Sequence, residues 1–273
     1  MNVSVFQIYY KSEHLPCLDH DFIPYLNDDR SERARTWHEY HVIRQCFIQK
    51  NYLNSDYTGF LSWKFNFKTN TSGDYFLKQI KKNPGHDVYF INPFPHAAKR
   101  YRNVWLQGER CHKDLLKLTS EILKELGINA NLREMVHDQT DTLYCNFWVG
   151  SKSFWENFIP FCERFYQAIE NKKHLKNNVS VDIISNTSEE AFIMERLFST
   201  FVNLHKNKYS IKSIKKEKSL PSCCEILFKI TYLLLNTTKI FTNHENKLIK
   251  KIKQFLAQDI IILHSRAKEK RKK

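Results

Sequence analysis

A row of hydrogen-bond donors follows a glycine in the stretch YTGFLSWKFNFKT, residues 57–69. Apolar residues occupy the odd positions from 61 to 67, which is the alternation of a half-buried strand. The alternate positions are polar, and they are Ser62, Lys64, Asn66 and Lys68. Hydroxyl, amide and ammonium donors on one face suit an anionic ligand rich in hydroxyl groups, such as a nucleotide sugar. An ordinary hairpin strand would show the same alternation.

Carboxylate and imidazole groups at short spacing are the candidates for acid–base or metal chemistry. Glu109 and His112 lie three residues apart at the start of a predicted helix, so both could face one side. Such a pair can act as general base or metal ligand. The alternative is that Glu109 only stabilises the helix macrodipole. Asp19-His20-Asp21 has the letters of an Asp-x-Asp metal clamp, although short acidic triplets in loops are common.

Two further polar groups interrupt apolar elements. Asn146 lies in the aromatic run TLYCNFWVG, and a buried amide must be hydrogen-bonded. It is therefore either a structural clamp or a reader of sugar hydroxyls. Glu195 and Arg196 interrupt a predicted apolar helix face. Charged residues are seldom buried without a partner, so the doublet lies either in solvent or in a site.

The elements that would position these residues alternate between strand and helix. Strands are predicted at 3–10, 57–69, 86–95 and 142–150, and helices at 31–49, 73–82, 103–127, 151–169 and 188–205. Ser31 is the expected N-cap of the first of these helices, and Thr71 and Ser72 precede the second as its capping residues. This alternation predicts an α/β fold with its ligand site at the carboxyl ends of the strands, where Asn92 would lie.

Charge divides the chain of 273 residues unevenly. Residues 204–273 hold 18 Lys and Arg against 5 Asp and Glu, whereas residues 1–203 hold 25 against 24. The basic region contains an amphipathic pattern at 245–263 and ends in RAKEKRKK. Residues 221–273 are therefore predicted to lie on an anionic membrane surface. The alternative is a non-enzymatic polyanion-binding protein, but no recognisable nucleic-acid-reading motif is present, and no nucleic acid is expected as a partner.

The cysteines and the N-terminus bear on the compartment. Seven cysteines are scattered without zinc-ligand spacing, which favours reduced thiols in the cytosol. The N-terminal sequence MNVSVFQIYY lacks the features of a signal peptide. We therefore expect a cytoplasmic protein, peripheral on the inner face of the cytoplasmic membrane.

Five ordered blocks carry a resemblance to a known family. They are Y-x-G-x-x-S-x-K-F-x-x-K-T (57–69), D-V-x-x-x-N-P (87–93), N-V-W-x-Q-G-E-x-x-H (103–112), Y-C-N-F-W-V-G-x-x-x-F-W (144–155) and F-I-M-E-R-L-F-S (192–199). Together they resemble bacterial glycosyltransferases of capsule, lipopolysaccharide and O-antigen clusters, with a GT-A-like nucleotide-binding fold. The similarity implies a catalytic domain at residues 1–203 and a basic helical extension at residues 204–273.

The resemblance also implies a nucleotide-sugar donor and a saccharide or lipid-linked acceptor. Donor-binding candidates are Gly59, Ser62, Lys64, Lys68, Thr69 and Asn92. Candidates for base or metal contact are Asp87, Glu109 and His112. Acceptor-side candidates are Asn146, Trp148, Glu195 and Arg196.

The metal requirement is the point at which the chain departs from the family. GT-A enzymes usually carry Asp-x-Asp at the end of a central strand, and the strand interpreted as its counterpart reads DVYFINP, with one Asp at its start. Lysines could replace the cation, or Mn²⁺ or Mg²⁺ could be held by residues distant in sequence. No organic cofactor is expected.

Overall fold

The computed structural model describes residues 1–175 and 189–217. Within these residues, six strands form one sheet in the order β2-β1-β3-β5-β4-β6. Their bounds are β1 Val3–Tyr9, β2 Ile23–Leu26, β3 Tyr57–Ser62, β4 Val88–Phe90, β5 Trp148–Ser151 and β6 Ile211–Ser213. The predicted α/β class is confirmed.

Strand direction gives this sheet one functional edge. β1 is parallel to both β2 and β3, and β4 is parallel to β6. Only β5 runs against its neighbours β3 and β4. The carboxyl ends of the other five strands therefore lie together with the amino end of β5, and we call this side the carboxyl edge. In open α/β sheets, ligands bind beyond this edge.

Helices cover the sheet. Their bounds are α1 Glu32–Ile48, α2 Phe65–Thr69, α3 Gly73–Lys82, α4 Pro95–Arg100, α5 Val104–Cys111, α6 Leu115–Glu125, α7 Lys152–Leu175 and α8 Glu189–Leu204. Ser31 and Ser72 cap α1 and α3, and each side chain accepts a hydrogen bond from the third following backbone N–H. Both predicted caps are confirmed. Among the described residues, no helix is long and apolar enough to cross a membrane.

The single strand predicted for residues 57–69 is wrong in its second half. β3 ends at Ser62, α2 begins at Phe65 and ends at Thr69, and its C-cap Asn70 has the left-handed conformation. The buried Gln7 amide donates hydrogen bonds to the carbonyls of Ser62 (3.5 Å) and Trp63 (3.4 Å), at the point where the chain leaves the strand. Phe65, the first residue of α2, is fully buried after this change of chain direction.

The helix predicted for residues 103–127 is two helices. Asp114 lies between α5 and α6 with a φ of 68°, which a non-glycine residue in a continuous helix does not adopt. Glu109 supports the break, because its carboxylate accepts hydrogen bonds from the backbone N–H groups of Asp114 (3.1 Å) and Leu116 (2.8 Å) at the start of α6.

Aromatic side chains dominate the core. Trp148 is 1% exposed and contacts the rings of Phe154, Trp155, Phe158 and Phe198. Offset and edge-to-face contacts of this kind contribute stability beyond their buried area. This core fixes β5 against α7 and α8, and thereby positions the segment that enters β5 at the carboxyl edge.

The sheet continues past residue 203. β6 pairs with β4, and Ile214 N–H donates to the carbonyl of Phe90 at 2.7 Å. The predicted extension at 204–273 therefore begins with residues that belong to the sheet. The membrane-surface prediction for residues 221–273 lies outside the described residues.

Candidate functional site

Four charged side chains from four elements approach one another at the carboxyl edge. Lys64 follows β3, Lys68 lies in α2, Glu39 in α1 and Glu195 in α8. Each of the two carboxylates acts electrostatically on both lysines. We call Glu39, Lys64, Lys68 and Glu195 the charged cluster. Two ammonium groups flanked by two carboxylates form a group that can bind an anion and also exchange a proton.

Lys68 is the best-anchored member of the charged cluster. Its ammonium donates to the Cys145 thiol at 3.1 Å and lies 6.0 Å from the centre of the Phe147 ring. Burial by itself lowers the pKa of Lys68, but the neighbouring Cys145 and Glu195 outweigh it and raise that pKa. Burial raises the pKa of the Cys145 thiol to about 11, so the thiol is neutral at pH 7 and Glu195 is the counterion that acts there. Lys68 is a fixed cation.

Glu195 is half-buried, and burial raises the pKa of its carboxyl. Lys68 and Arg196 act in the opposite direction, whereas the like charge of Glu39 adds to the rise. A carboxylate with a raised pKa is a stronger base than an exposed one. Glu195 therefore combines proton affinity with a position beside two lysines.

Lys64 is the exposed member of the charged cluster. Its ammonium lies 5.1 Å from the centre of the Trp63 ring, whose other contact is a stack with the His14 ring at 4.0 Å. Partial desolvation and the nearby Lys68 lower the pKa of Lys64. Burial, with the charges of Lys11 and Lys64, lowers the pKa of His14 to about 4, so this imidazole is neutral at pH 7.

Glu39 reaches the charged cluster from an interrupted helix. His38, the preceding residue, has a φ of 46° and a ψ of −125° inside α1. Backbone in this region is strained for a residue other than glycine, and such strain concentrates at functional sites. Burial and the carboxylate of Glu39 raise the pKa of the Tyr10 hydroxyl, which lies beside it just after β1.

The donor-binding candidates divide between the carboxyl edge and the interior. Ser62 lies at the end of β3, where its hydroxyl accepts the Lys64 N–H at 3.3 Å, and Asn92 follows β4 and caps the turn to Phe94. Thr69 is fully buried and donates to the Phe65 carbonyl at 2.8 Å. Gly59 lies inside β3, where a Cβ would meet the Trp148 carbonyl at 2.6 Å. We assign Gly59 and Thr69 to structural roles.

Two of the three predicted acid–base residues are engaged elsewhere. Asp87 precedes β4 at the amino edge, opposite the charged cluster, and its carboxylate accepts the Ser210 N–H at 2.8 Å. Glu109 caps α6, as described above. His112 is half-buried, and its ring stacks on Phe192 at 3.6 Å in the first half of α8. Both carboxylates thus stabilise the fold, and the Glu109–His112 pair stays a prediction.

The acceptor-side candidates also separate. Trp148 is a core residue. Arg196 is buried and ties α8 to α5, donating to the carbonyls of Val104 (3.0 Å) and Phe192 (2.8 Å) and to the Gln107 side chain (2.8 Å). Asn146 is half-buried and next to Cys145 at the carboxyl edge. Glu195 and Asn146 are therefore the two acceptor-side candidates that the structure places at this edge.

The Asp19-His20-Asp21 triplet is built into the fold. One oxygen of the buried Asp19 carboxylate accepts from the Asn66 side chain and from the Gly73 N–H (2.9 Å), and the other accepts from the Asp21 N–H (3.0 Å). The three side chains offer ligand atoms within 4.8 Å of one another. With both Asp19 oxygens in use, this group fits a clamp between α2 and α3 better than a metal site.

A short segment crosses the carboxyl edge from the sheet to α3, and we call residues 214–217 the strap. Ile214 bonds to the end of β4, and the Lys216 ammonium donates to the Lys68 carbonyl at 3.1 Å. The Glu217 carboxylate accepts the N–H and hydroxyl of Ser72 at 3.1 and 3.0 Å. The strap holds α2 and α3 in place beside the charged cluster.

Glu39 and Arg44 stand out in the sequence as polar residues of the predicted 31–49 helix, but Glu39, Tyr10 and Cys145 are not among the predicted site residues. Tyr10 was within reach, because it follows the first strand at the edge where ligands bind. Cys145 lies in an irregular segment with a φ of 65°. Glu39 depends on the interruption at His38, for which the sequence carries no signal.

The fold is similar to that of a glycosyltransferase. A solved apo structure of the bifunctional glycosyltransferase WbbM aligns with a TM-score of 0.50 and 15% identity, over 80% of this chain and 45% of that chain. This chain thus spans less than half of that protein. No protein-family model and no curated protein matches the chain. The GT-A-like fold predicted from the five sequence blocks is confirmed as a glycosyltransferase-type fold.

Proposed function

We propose that this chain is a glycosyltransferase that moves a sugar from a nucleotide-sugar donor to a saccharide or lipid-linked acceptor during synthesis of bacterial surface polysaccharide. The glycosyltransferase-type fold supports the reaction class. The observation that carries the proposal is the position of Lys64, just after the central strand β3, and of Lys68, in the α2 helix that follows, at the edge where α/β sheets bind ligands.

The two lysines would bind the donor diphosphate. Ammonium–phosphate hydrogen bonds are about twice as strong as neutral ones. Fixed positive charge also stabilises the diphosphate as it leaves, which lowers the barrier of the transfer. Lys68 enters this role already anchored through Cys145, so little ordering is required on binding.

The residues at the end of β3 favour transfer without a divalent cation. β4, which we had interpreted as the central strand, lies next to the end of the sheet, and β3 is central. Ser62 ends β3 and Trp63-Lys64 follows, so no Asp-x-Asp stands at the end of this strand, whereas GT-A enzymes usually carry one at the end of a central strand. Mn²⁺ and Mg²⁺ prefer carboxylate oxygens, and an ammonium group cannot ligate them. Lys64 would thus supply the positive charge itself.

Glu195 is the carboxylate we assign as general base for the acceptor hydroxyl. It lies beside the lysines, and its raised pKa strengthens it as a base. Glu39 has the same charge and adds to this rise. Asn146 would hydrogen-bond an acceptor hydroxyl from the neighbouring segment.

A donor screen tests this function directly. The melting temperature is measured with UDP-, GDP-, CMP- and dTDP-sugars, each with Mn²⁺, with Mg²⁺ and with EDTA. A donor at 100 times its Kd adds about 2.7 kcal/mol to the free energy of unfolding. For a chain of this size the shift is roughly 5–10 °C. We expect one nucleotide class to raise the melting temperature by this amount, and by the same amount in EDTA as with Mn²⁺ or Mg²⁺. If no donor shifts the melting temperature, the proposed function is wrong.

The cellular location is a separate part of the proposal. Residues 221–273 are proposed to place the enzyme on the inner face of the cytoplasmic membrane through their basic charge. Flotation with anionic liposomes should be compared between the full chain and a chain ending at Glu217, which keeps β6 and the strap. Equal flotation of the two proteins would contradict the membrane role.

A further inference from the structure

An uncharged pocket lies on the sheet away from the charged cluster. It has a volume of about 290 Å³ and is lined by Ser4, Phe6, Tyr25, Cys46, Gln49, Asn51, Asn54, Ser55, Thr58 and Phe60. None of these ten described residues carries a charge, in a chain of which 26% is charged. We call it the neutral pocket. The volume is close to the lower end of the range for small-molecule sites, which begins at about 300 Å³.

The floor of the neutral pocket is aromatic. Phe6 is half-buried and stacks on Phe60, with ring centres 4.8 Å apart and planes 13° from parallel. The half-buried Tyr25 meets both rings edge-on, at 6.2 and 5.4 Å. Strand register explains this arrangement, because Phe6 lies opposite Phe60 on neighbouring strands and Tyr25 opposite Ile8. A flat, partly exposed aromatic surface is what the C–H face of a pyranose ring packs against.

The rim of the neutral pocket is made of amides and hydroxyls. Gln49, Asn51 and Asn54 are exposed at the end of α1 and in the turn that follows it. The Asn51 amide donates to the Gln49 side chain at 2.9 Å, which orders the two groups. Amides supply a donor and an acceptor together, which is the pattern that vicinal sugar hydroxyls require.

We propose that the neutral pocket binds an uncharged saccharide unit. The absence of charged lining residues within the described chain disfavours phosphates and nucleotides, which call for cations. A second cleft between α1 and α7 illustrates the contrast, since Asp29, Glu32, Arg33 and Glu170 line it. The aromatic floor and amide rim instead combine packing and hydrogen bonding without charge.

The position of the neutral pocket gives it a role distinct from the donor site. Ser4 and Thr58 pair near the amino ends of β1 and β3, whereas the charged cluster lies beyond their carboxyl ends. The far end of the pocket, at Ser4, lies five residue steps from Tyr9 at the end of β1, or roughly 17 Å along the strand, whereas its near end, at Tyr25, lies opposite Ile8, one residue before that end. The separation at the far end is several sugar units long. If the proposed function holds, the pocket would bind a remote unit of a saccharide acceptor; saccharide binding itself does not depend on that function.

Ligand-observed saturation-transfer NMR with free methyl glycosides tests the proposal. The probes are the methyl glycosides of glucose, galactose, mannose and N-acetylglucosamine, together with lactose and maltose. We expect at least one to receive saturation from the wild-type protein. Its signal should fall at least fivefold in Phe6→Leu, which keeps apolar volume but removes the ring, and in the double variant Asn51→Ala/Asn54→Ala, whose sites are exposed. Substitutions at exposed positions leave the fold intact. If Phe6→Leu does not fold, the double variant alone therefore provides the test.

Two controls define the outcome. Asn129→Ala changes an exposed amide on another surface and should leave the glycoside signal unchanged, as should Lys64→Ala in the charged cluster. Absence of signal for every glycoside, or full signal in the double variant, would overturn the proposal. So would loss of signal in Lys64→Ala with retention in the pocket variants, because the glycoside would then bind at the carboxyl edge. Nucleotide-sugar binding is measured separately, so failure of one proposal leaves the other testable.

Discussion

Replacement of Lys68 by Met tests the charged cluster most sharply. Methionine keeps much of the aliphatic length but removes the ammonium that lies beside Cys145 and Glu195. A hydrogen bond to a charged group contributes about 1.5–3 kcal/mol. If Lys68 binds the donor diphosphate, nucleotide affinity should therefore fall by about tenfold to about 150-fold, since about 1.4 kcal/mol corresponds to a factor of ten.

The assay is isothermal titration with UDP, GDP, CMP and dTDP, using the nucleotide class that stabilises the wild-type protein. Lys64→Met is measured beside it, because Lys64 is exposed and its replacement leaves the fold unaffected. Lys78→Met is the matched control; its ammonium pairs with Asp74 on the outer surface of α3. Wild-type nucleotide affinity in both Lys64→Met and Lys68→Met would refute the assignment of the diphosphate site.

Three further predictions concern Gly59, Glu195 and His14. Gly59→Ala should lower the free energy of unfolding by about 1–3 kcal/mol in urea titrations, because its Cβ would lie 2.6 Å from the Trp148 carbonyl. The nucleotide affinity of the folded variant should stay unchanged. A large loss of affinity without destabilisation would restore a donor-binding role for Gly59. Burial raises the folded-state pKa of Glu195 above 4.5, so the free energy of unfolding of the wild type falls as pH rises above that value. Glu195→Gln lacks this titration and should therefore gain stability relative to the wild type from pH 4 to pH 7. A stability difference that stays constant over this range would contradict the pKa shift. The His14 ring should titrate in NMR with a midpoint of about 4, well below its ordinary 6.5, and a midpoint near 6.5 would show that the stack on Trp63 does not desolvate it.

Several elements could be predicted from sequence because their signals are local. Ser31 and Ser72 were identified as helix caps from residue type and position alone, and both accept the expected backbone N–H. β1 is predicted by a run of apolar, β-branched and aromatic residues, and α8 by a serine followed by two glutamates at the start of an apolar segment. Local patterns of this kind are decided within a few residues, so tertiary contacts seldom override them.

The misplaced site residues depended on contacts between distant parts of the chain. The alternation that suggested a strand through residue 69 ends at Ser62, where the Gln7 side chain, 55 positions away, bonds the turn. The polar side chains of the Asn103–His112 block connect helices: Asn103 caps α5, Gln107 accepts a hydrogen bond from Arg196, and Glu109 caps α6. A sequence motif marks a tight junction between helices as readily as a ligand contact.

Glu195 and Lys68 are site residues that could be identified from the sequence alone. Glu195 was singled out because it interrupts an apolar helix face, and Lys68 because it belongs to a row of donors on one strand face; both lie in the charged cluster. Their partner Glu39 depends on the backbone at His38, and its approach to the lysines required three-dimensional structure. The sequence could indicate which groups were unusual, but not which of them meet.

The strap has a mechanical consequence. Glu217 is the point at which residues 218–273 join the described fold, and its carboxylate is bonded to both the N–H and the hydroxyl of Ser72, while Lys216 bonds the Lys68 carbonyl. A pull on the chain beyond residue 217 therefore loads the first turn of α3 and the end of α2 before it reaches the sheet. Tension at that attachment and the position of the Lys68 backbone are linked through three hydrogen bonds.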